Sequence, residues 1–199
     1  GALGGISVGL IAPRVLPAYY ELGLGFIITA LLAMALLRES KALRGLAAAL
    51  AVLCAWFLYV QIYDDFAGTR RIDRNFYGNL LSLDTHREDP RDNVRQLYHG
   101  SIKHGEQYLT PERRMEPTTY YGPTAGVGRA IASTQADGKK VGLIGLGAGT
   151  LALYGRPGDN YRFYEINPQV LDFAQDEFSF MRESQARIEM VLGDARLSL

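Results

Sequence analysis

Two apolar runs near the start of the chain limit what it can fold into. "LGLGFIITALLAMALL" (residues 22–37) has no charged residue, and "LRGLAAALAVLCAWFLYVQIY" (residues 43–63) has only Arg44. A helix needs about 20 mostly apolar residues to cross the hydrocarbon core of a bilayer. The second run meets that length, and the first does so when residues 18–21 are added. With almost no polar face, two such runs are hard to bury inside 199 residues. The expectation is a transmembrane helical hairpin over residues 1–63, closed by the short "RESKALR" link. Tyr19, Tyr20, Trp56, Tyr59 and Tyr63 supply candidate anchors at the membrane–water interface. "GALGGISVGLIAP" reads as the tail of an earlier span or a re-entrant piece. A cleaved signal peptide fits poorly, because the second run lies too deep. Arg38, Lys41 and Arg44 in the link face Arg14, Arg70, Arg71 and Arg74 on the other side. The basic residues therefore assign no orientation.

Composition divides the chain. Residues 1–63 are poor in charge, and residues 64–199 hold most of the 21 basic and 21 acidic residues. The formal net charge is zero, which offers no argument for nucleic acid as a partner. A single cysteine, Cys54, excludes an internal disulfide framework and a cysteine-rich zinc site. His99 and His104 lie across an expected turn, too few ligands for a metal centre. No metal is expected, and His104 reads as turn-stabilising or substrate-facing.

The middle of the chain changes character twice. "DDFAGTRRIDR" reads as a polar exit from the membrane, with residues 64–73 as a linker and Asp64 and Asp65 solvated. "NFYGNLLSLDT" has strand composition, "REDPRDN" is turn-forming, and "VRQLYHGSIKHGEQYL" predicts two short strands about a glycine turn. Residues 74–122 are thus expected to form a small β domain. Pro111, Pro117 and Pro123 keep its last part irregular, and "TAGVGRAIASTQ" predicts a helix leading to the next strand.

From residue 123 the pattern is that of an α/β domain. "VGLI" is a buried-strand run, followed by Gly145, Gly147 and Gly149 at alternate positions. Such glycines let the backbone turn tightly and approach a ligand, and a helix from near Thr150 would aim N–H groups at it. "NYRFYEI" is a second strand ending in Glu165, placed to accept bonds from ribose hydroxyls. "NPQVLDFAQDEFSFM" is a helix with Asn167 as cap and Pro168 in its first turn. "ARIEMVLGDARL" is a third strand ending at Gly193, Asp194 and Ala195. In that order the pieces make a nucleoside site in a partial Rossmann-like domain, residues 123–199. A nicotinamide dinucleotide fits Gly145 and Glu165 equally but suits "GDA" less well. The plainer alternative is that the glycines serve packing alone.

The pieces "HGSIKHGEQ", "PTTYYG", "LIGLGAGT", "YEINP" and "GDARL" also occur in an order that resembles the spermidine synthase-like (polyamine aminopropyltransferase) family, in its membrane-fused bacterial form. The resemblance covers about residues 74–199. It implies a small β-strand domain followed by a methyltransferase-like Rossmann domain. It implies transfer of an aminopropyl group from decarboxylated S-adenosylmethionine to a diamine such as putrescine, without a metal. On this resemblance Gly145, Gly147 and Gly149 line the nucleoside, Glu165 holds the ribose and Asp194 the adenine amino group. Gln107 approaches the sulfonium end or the amine, and Tyr120 or Tyr121 faces the acceptor. The expected setting is the inner or plasma membrane, with the catalytic-type domain on the cytoplasmic side where the donor occurs. The lipid bilayer and a small amine are the expected partners, with self-association open.

Two departures qualify this. The family's first turn is usually "GGGDGG", whose Asp binds the donor's free amine; here "GLGAGT" puts Ala148 at that place. Ordinary S-adenosylmethionine and methyl transfer are therefore an alternative, as is a non-catalytic ligand-sensing or transport-coupled membrane module. The family's main catalytic Asp follows a fourth strand, and the sequence ends at Leu199 before it. The domain is accordingly expected to be truncated after its third strand and inactive alone.

Overall fold

The computed structural model describes residues 1–134 and 137–198. It is a mixed α/β protein with one antiparallel and one parallel sheet. The chain forms two compact units. The first holds Gly1–Thr69 and Arg74–Asn79; the second holds Arg70–Asp73 and the chain from Leu80 onward.

In the first unit, α1 (Ala2–Val15) contains a π-helical turn at Ser7–Ile11. It ends at Leu16, which is extended because a residue before proline, here Pro17, is driven out of the α region. That break keeps residues 18–20 out of the next helix, α2 (Glu21–Leu36). At 16 residues α2 is about 24 Å long, less than the hydrocarbon thickness. The third helix, α3 (Lys41–Phe66), starts where Ser40 Oγ accepts the Leu43 N–H. Its 26 residues give about 39 Å. Among the described residues it is the one helix long and apolar enough to cross a membrane. Helices α2 and α3 pack on each other, close enough that a Cβ on Gly23 would stand 3.0 Å from Leu58 Cδ1. Their other sides leave Leu22, Phe26, Leu32, Val52, Trp56 and Phe57 exposed.

The expected linker, residues 64–73, overlaps the end of α3 and the first strand. The last turn of α3 includes Asp64 and Asp65, and β1 (Thr69–Asn75) begins three residues after Phe66. The sequence of β1, "TRRIDRN", lacks the apolar alternation that marks a strand. Its arginines are used instead in ion pairs: Arg70 with Asp84 and Glu177, and Arg71 with Asp176 while lying 4.4 Å over the Phe173 ring. The sheet continues in order through β2 (Gly78–Thr85), β3 (Val94–His99) and β4 (Ile102–Tyr108). Strands β2, β3 and β4 are antiparallel neighbours, with a register shift at Leu97/Tyr98.

Helix α4 (Gly126–Ser133) then leads to the parallel sheet; Gln135, in the expected helical stretch, lies outside the described residues. Strands β5 (Lys140–Ile144), β6 (Asn160–Glu165) and β7 (Arg187–Leu192) lie in chain order. Between β6 and β7 stands α5 (Pro168–Asp176), capped by Asn167 Oδ1 on the Gln169 N–H. It stops before Phe178 and Phe180, which instead turn into the core and stack 6.3 Å apart. The chain closes with the single turn α6 (Ala195–Ser198).

Side chains alternate across the parallel sheet. Val141, Leu143, Tyr161, Phe163, Ile188 and Met190 face a core completed by Val170, Phe173 and Ala174 of α5. The other face carries Asn160 and Arg162 hydrogen-bonded to Glu189. Strand β5 is therefore not buried on both sides as its apolar run suggested: Ile144 is 76% exposed.

Candidate functional site

The carboxyl ends of the three parallel strands are laced together by Glu165. Its backbone carbonyl accepts the Gly193 N–H beyond β7, at 2.9 Å. Its side chain, 8% exposed, reaches both ways: Oε2 accepts the Leu146 N–H and Oε1 the Asn167 N–H, each at 2.9 Å. The glycine turn after β5 is thereby tied to the start of α5. A carboxylate has about four lone-pair directions, so each oxygen keeps one for a further donor.

The turn itself runs through left-handed backbone at alternate residues, with φ of +89° at Gly145, +56° at Gly147 and +83° at Gly149. Between them Leu146 and Ala148 point into the core. This is the physical content of the glycine spacing: the side chains go inward at the even positions, and residues without a Cβ carry the positive φ. The α-helix expected from Thr150 is only a five-residue 3-10 segment, Thr150–Tyr154. Gly155 leaves it in an extended conformation, and Pro157 follows without an N–H to continue it. The amides of a long helix are therefore not what this turn offers.

Strand β4 and the tyrosine loop lie against the turn. A Cβ on Gly147 would come within 3.0 Å of the His104 carbonyl oxygen and 3.6 Å of the Tyr121 hydroxyl. A Cβ on Gly105 would come within 2.8 Å of the Ala148 methyl. Tyr120 and Tyr121 stand as a pair, ring centroids 4.4 Å apart, with Tyr120 more than half exposed. The loop is pinned where the Tyr154 hydroxyl donates to the Tyr121 carbonyl at 2.6 Å and where Thr118 Oγ1 donates to the Glu106 carbonyl. Thr119 has φ +55°, a left-handed conformation that a β-branched residue adopts only under constraint. Burial, with the neighbouring Tyr120 hydroxyl, pushes the Tyr121 phenol above its ordinary range. His104 is held below the usual imidazole value by burial and by His99, whose ring is 5.8 Å away, against an opposing pull from Glu165.

The structure thus brings Gly145, Gly147, Gly149, Glu165 and Tyr121 to one edge, with Tyr120 beside Tyr121. Asp194 follows β7 at the same edge, but its Oδ1 accepts the Arg196 N–H and starts α6. Gln107 is different. It is 6% exposed; its Nε2 donates to Ser179 Oγ and the Arg114 carbonyl, and its Oε1 accepts the Ser179 N–H. Both amide hydrogens are spent on the protein and brace β4, while Oε1 keeps one lone pair beyond the Ser179 N–H. A glutamine in a strand has the same local signature whether it faces inward or a cleft, so its sequence could not distinguish the two. The closeness of His104 to the glycine turn depends on a contact 43 residues away in the chain. Among the described residues no cluster of three or more metal-ligating side chains occurs.

Comparison of the chain with family models, with curated proteins and with solved structures found no match.

Proposed function

We propose that the chain is a membrane-tethered, spermidine synthase-like transferase that takes an adenosyl sulfonium donor at the carboxyl edge of its parallel sheet. The observation that carries this reading is the constellation at that edge: a left-handed glycine turn hydrogen-bonded to a buried Glu165, with the Tyr121 hydroxyl and the His104 carbonyl packed close to Gly147. Ligands of open α/β sheets bind outside the carboxyl ends of the strands. Gly145, Gly147 and Gly149 line the nucleoside, and the free lone pairs of Glu165 take the ribose hydroxyls. Asp194 would meet the adenine amino group after exchanging its bond to Arg196. The α2–α3 hairpin would lie in the inner or plasma membrane, since its outward side chains are apolar. The sheets would then face the cytoplasm, where the donor occurs.

The proposed reaction moves an aminopropyl group to a diamine such as putrescine. The amine nitrogen attacks the propyl carbon bonded to sulfur. The C–S bond breaks, its electron pair returns to sulfur, and a neutral thioether leaves. The attacking amine must be unprotonated, and it releases a proton after bond formation. A neutral imidazole is a suitable acceptor, and burial together with His99 biases His104 toward that form. Tyr120 and Tyr121 would orient the acceptor in line, which supplies much of the rate gain.

A second reading, methyl transfer from S-adenosylmethionine, is favoured by Ala148. That residue is 1% exposed and packed on Gly105, so the turn offers no carboxylate for a free propylamine. Calorimetry of the chain with methylthioadenosine, decarboxylated S-adenosylmethionine and S-adenosylmethionine separates the two. Aminopropyl transfer requires preference for the decarboxylated donor, and methyl transfer the reverse. Failure of all three to bind defeats both.

A further inference from the structure

The first unit holds a groove that the transferase reading does not use. Its volume is about 620 Å3. The walls are Val8, Leu22, Gly25 and Phe26, all exposed, and one end is polar, formed by Tyr19, Glu21 and Arg74. Arg74 is the unusual element. Its side chain is 6% exposed, with Nη1 2.6 Å from Glu21 Oε1 and donating to the Ala18 carbonyl at 2.8 Å. The guanidinium lies 4.2 Å over the Tyr19 ring. Its Nε–H is buried with no hydrogen-bond acceptor among the described residues, and Glu21 Oε1 touches Nη1 without hydrogen-bond alignment. Buried groups of this kind are normally matched, so Nε–H is left to take an acceptor from outside the described residues.

The same end of the unit is ringed by aromatics. The Gly23–Leu58 contact sets the first turn of α2 beside the later half of α3, level with Trp56, Tyr59 and Tyr63. The turn between β1 and β2 presents Phe76, 83% exposed, edge-on to Tyr77 at 5.6 Å. Tyrosine and tryptophan collect where hydrocarbon meets headgroups. The polar end of the groove therefore lies at headgroup level, and Leu22, Gly25 and Phe26 run toward the hydrocarbon.

We propose that this groove binds a phospholipid with a phosphoethanolamine headgroup. The Arg74–Glu21 pair is itself a zwitterion and complements one. A phosphate oxygen accepts the orphaned Arg74 Nε–H, the primary ammonium donates to Glu21, and an acyl chain lies along Leu22 and Phe26. A phosphoglycerol head would bring negative charge to Glu21 with no cation to offset it. A phosphocholine head has no N–H for Glu21, and the Tyr19 face that could hold it is occupied by Arg74. The inference rests on the membrane placement of the helices and not on the transferase chemistry.

The test is native mass spectrometry of the full chain in detergent with equal amounts of phosphatidylethanolamine, phosphatidylglycerol and phosphatidylcholine. Retention of the ethanolamine lipid should exceed the others by about tenfold, the scale of one charge-assisted bond. Arg74→Gln should remove the preference. Gly25→Leu supplies a variant that leaves the ion pair intact: among the described residues nothing lies within 4 Å of a Cβ there, so leucine fits but fills the groove. It should lower ethanolamine-lipid retention at unchanged helix content. Equal retention of the three lipids, preference for either other lipid, or full retention by Gly25→Leu overturns the proposal. Release of the chain from membranes by alkaline carbonate would instead refute the membrane placement beneath it.

Discussion

Replacing Glu165 by alanine should loosen the whole carboxyl edge of the parallel sheet, whether or not a ligand is bound. The carboxylate accepts two backbone N–H groups, from Leu146 and Asn167, at 2.9 Å each. Both donor residues are almost fully buried, at 5% and 2% exposure. A hydrogen bond to a charged group contributes about 1.5–3 kcal/mol, and a buried donor left without a partner keeps its desolvation cost. Two such bonds amount to about 3–6 kcal/mol of local stability. The Glu165→Gln variant should lose about half, since one amide oxygen can still accept while the amide nitrogen faces an N–H. Hydrogen exchange of the full chain reads this directly. At about 1.4 kcal/mol per tenfold, the Leu146 and Asn167 amides should exchange at least about a hundredfold faster in Glu165→Ala. Unchanged protection at both amides would refute the argument and leave Glu165 as a ligand contact with no share in building the turn.

Three further outcomes follow from the same geometry. Gly105→Ala places a methyl 2.8 Å from the Ala148 methyl, a clash between two short side chains, and should cost about 1–3 kcal/mol in a denaturant titration of the full chain. Thr119→Gly relieves a left-handed β-branched residue and should leave the chain equally stable or about 1 kcal/mol more so, with the Tyr120–Tyr121 pair less ordered by tyrosine fluorescence anisotropy. Acid should destabilise the second unit below about pH 4, the ordinary carboxyl range. Burial pushes the Asp84 carboxyl up, but Arg95 and Arg70 outweigh it and hold it below that range; the backbone N–H groups of Arg156 and Lys139 hold Asp159 low as well. A depressed folded-state value means stability that is complete above the unfolded value and lost as pH falls through the folded one. Asp84→Asn should flatten that acid limb in a pH series of thermal melts.

Local rules made several features legible in the sequence. The alternation of Gly145, Gly147 and Gly149 announced three positive φ values, because a Cβ is excluded there whatever surrounds the turn. Asn167 and Pro168 announced the start of α5, since a cap and a fixed φ act within one helical turn. The apolar runs announced helices with outward hydrocarbon faces. The fate of side chains that choose among distant partners required the tertiary structure. Strand β1 is charged, and it becomes a strand because Arg70 and Arg71 find Asp84, Glu177 and Asp176 far along the chain. Gln107 turns inward because Ser179, 72 residues later, offers both a donor and an acceptor. Ile144 lies open although its run is as apolar as a two-sided strand, since periodicity does not tell how many faces of a sheet are covered. Backbone dihedrals and capping are decided within a few residues, whereas partner choice is a long-range contact and depends on which surfaces folding brings together.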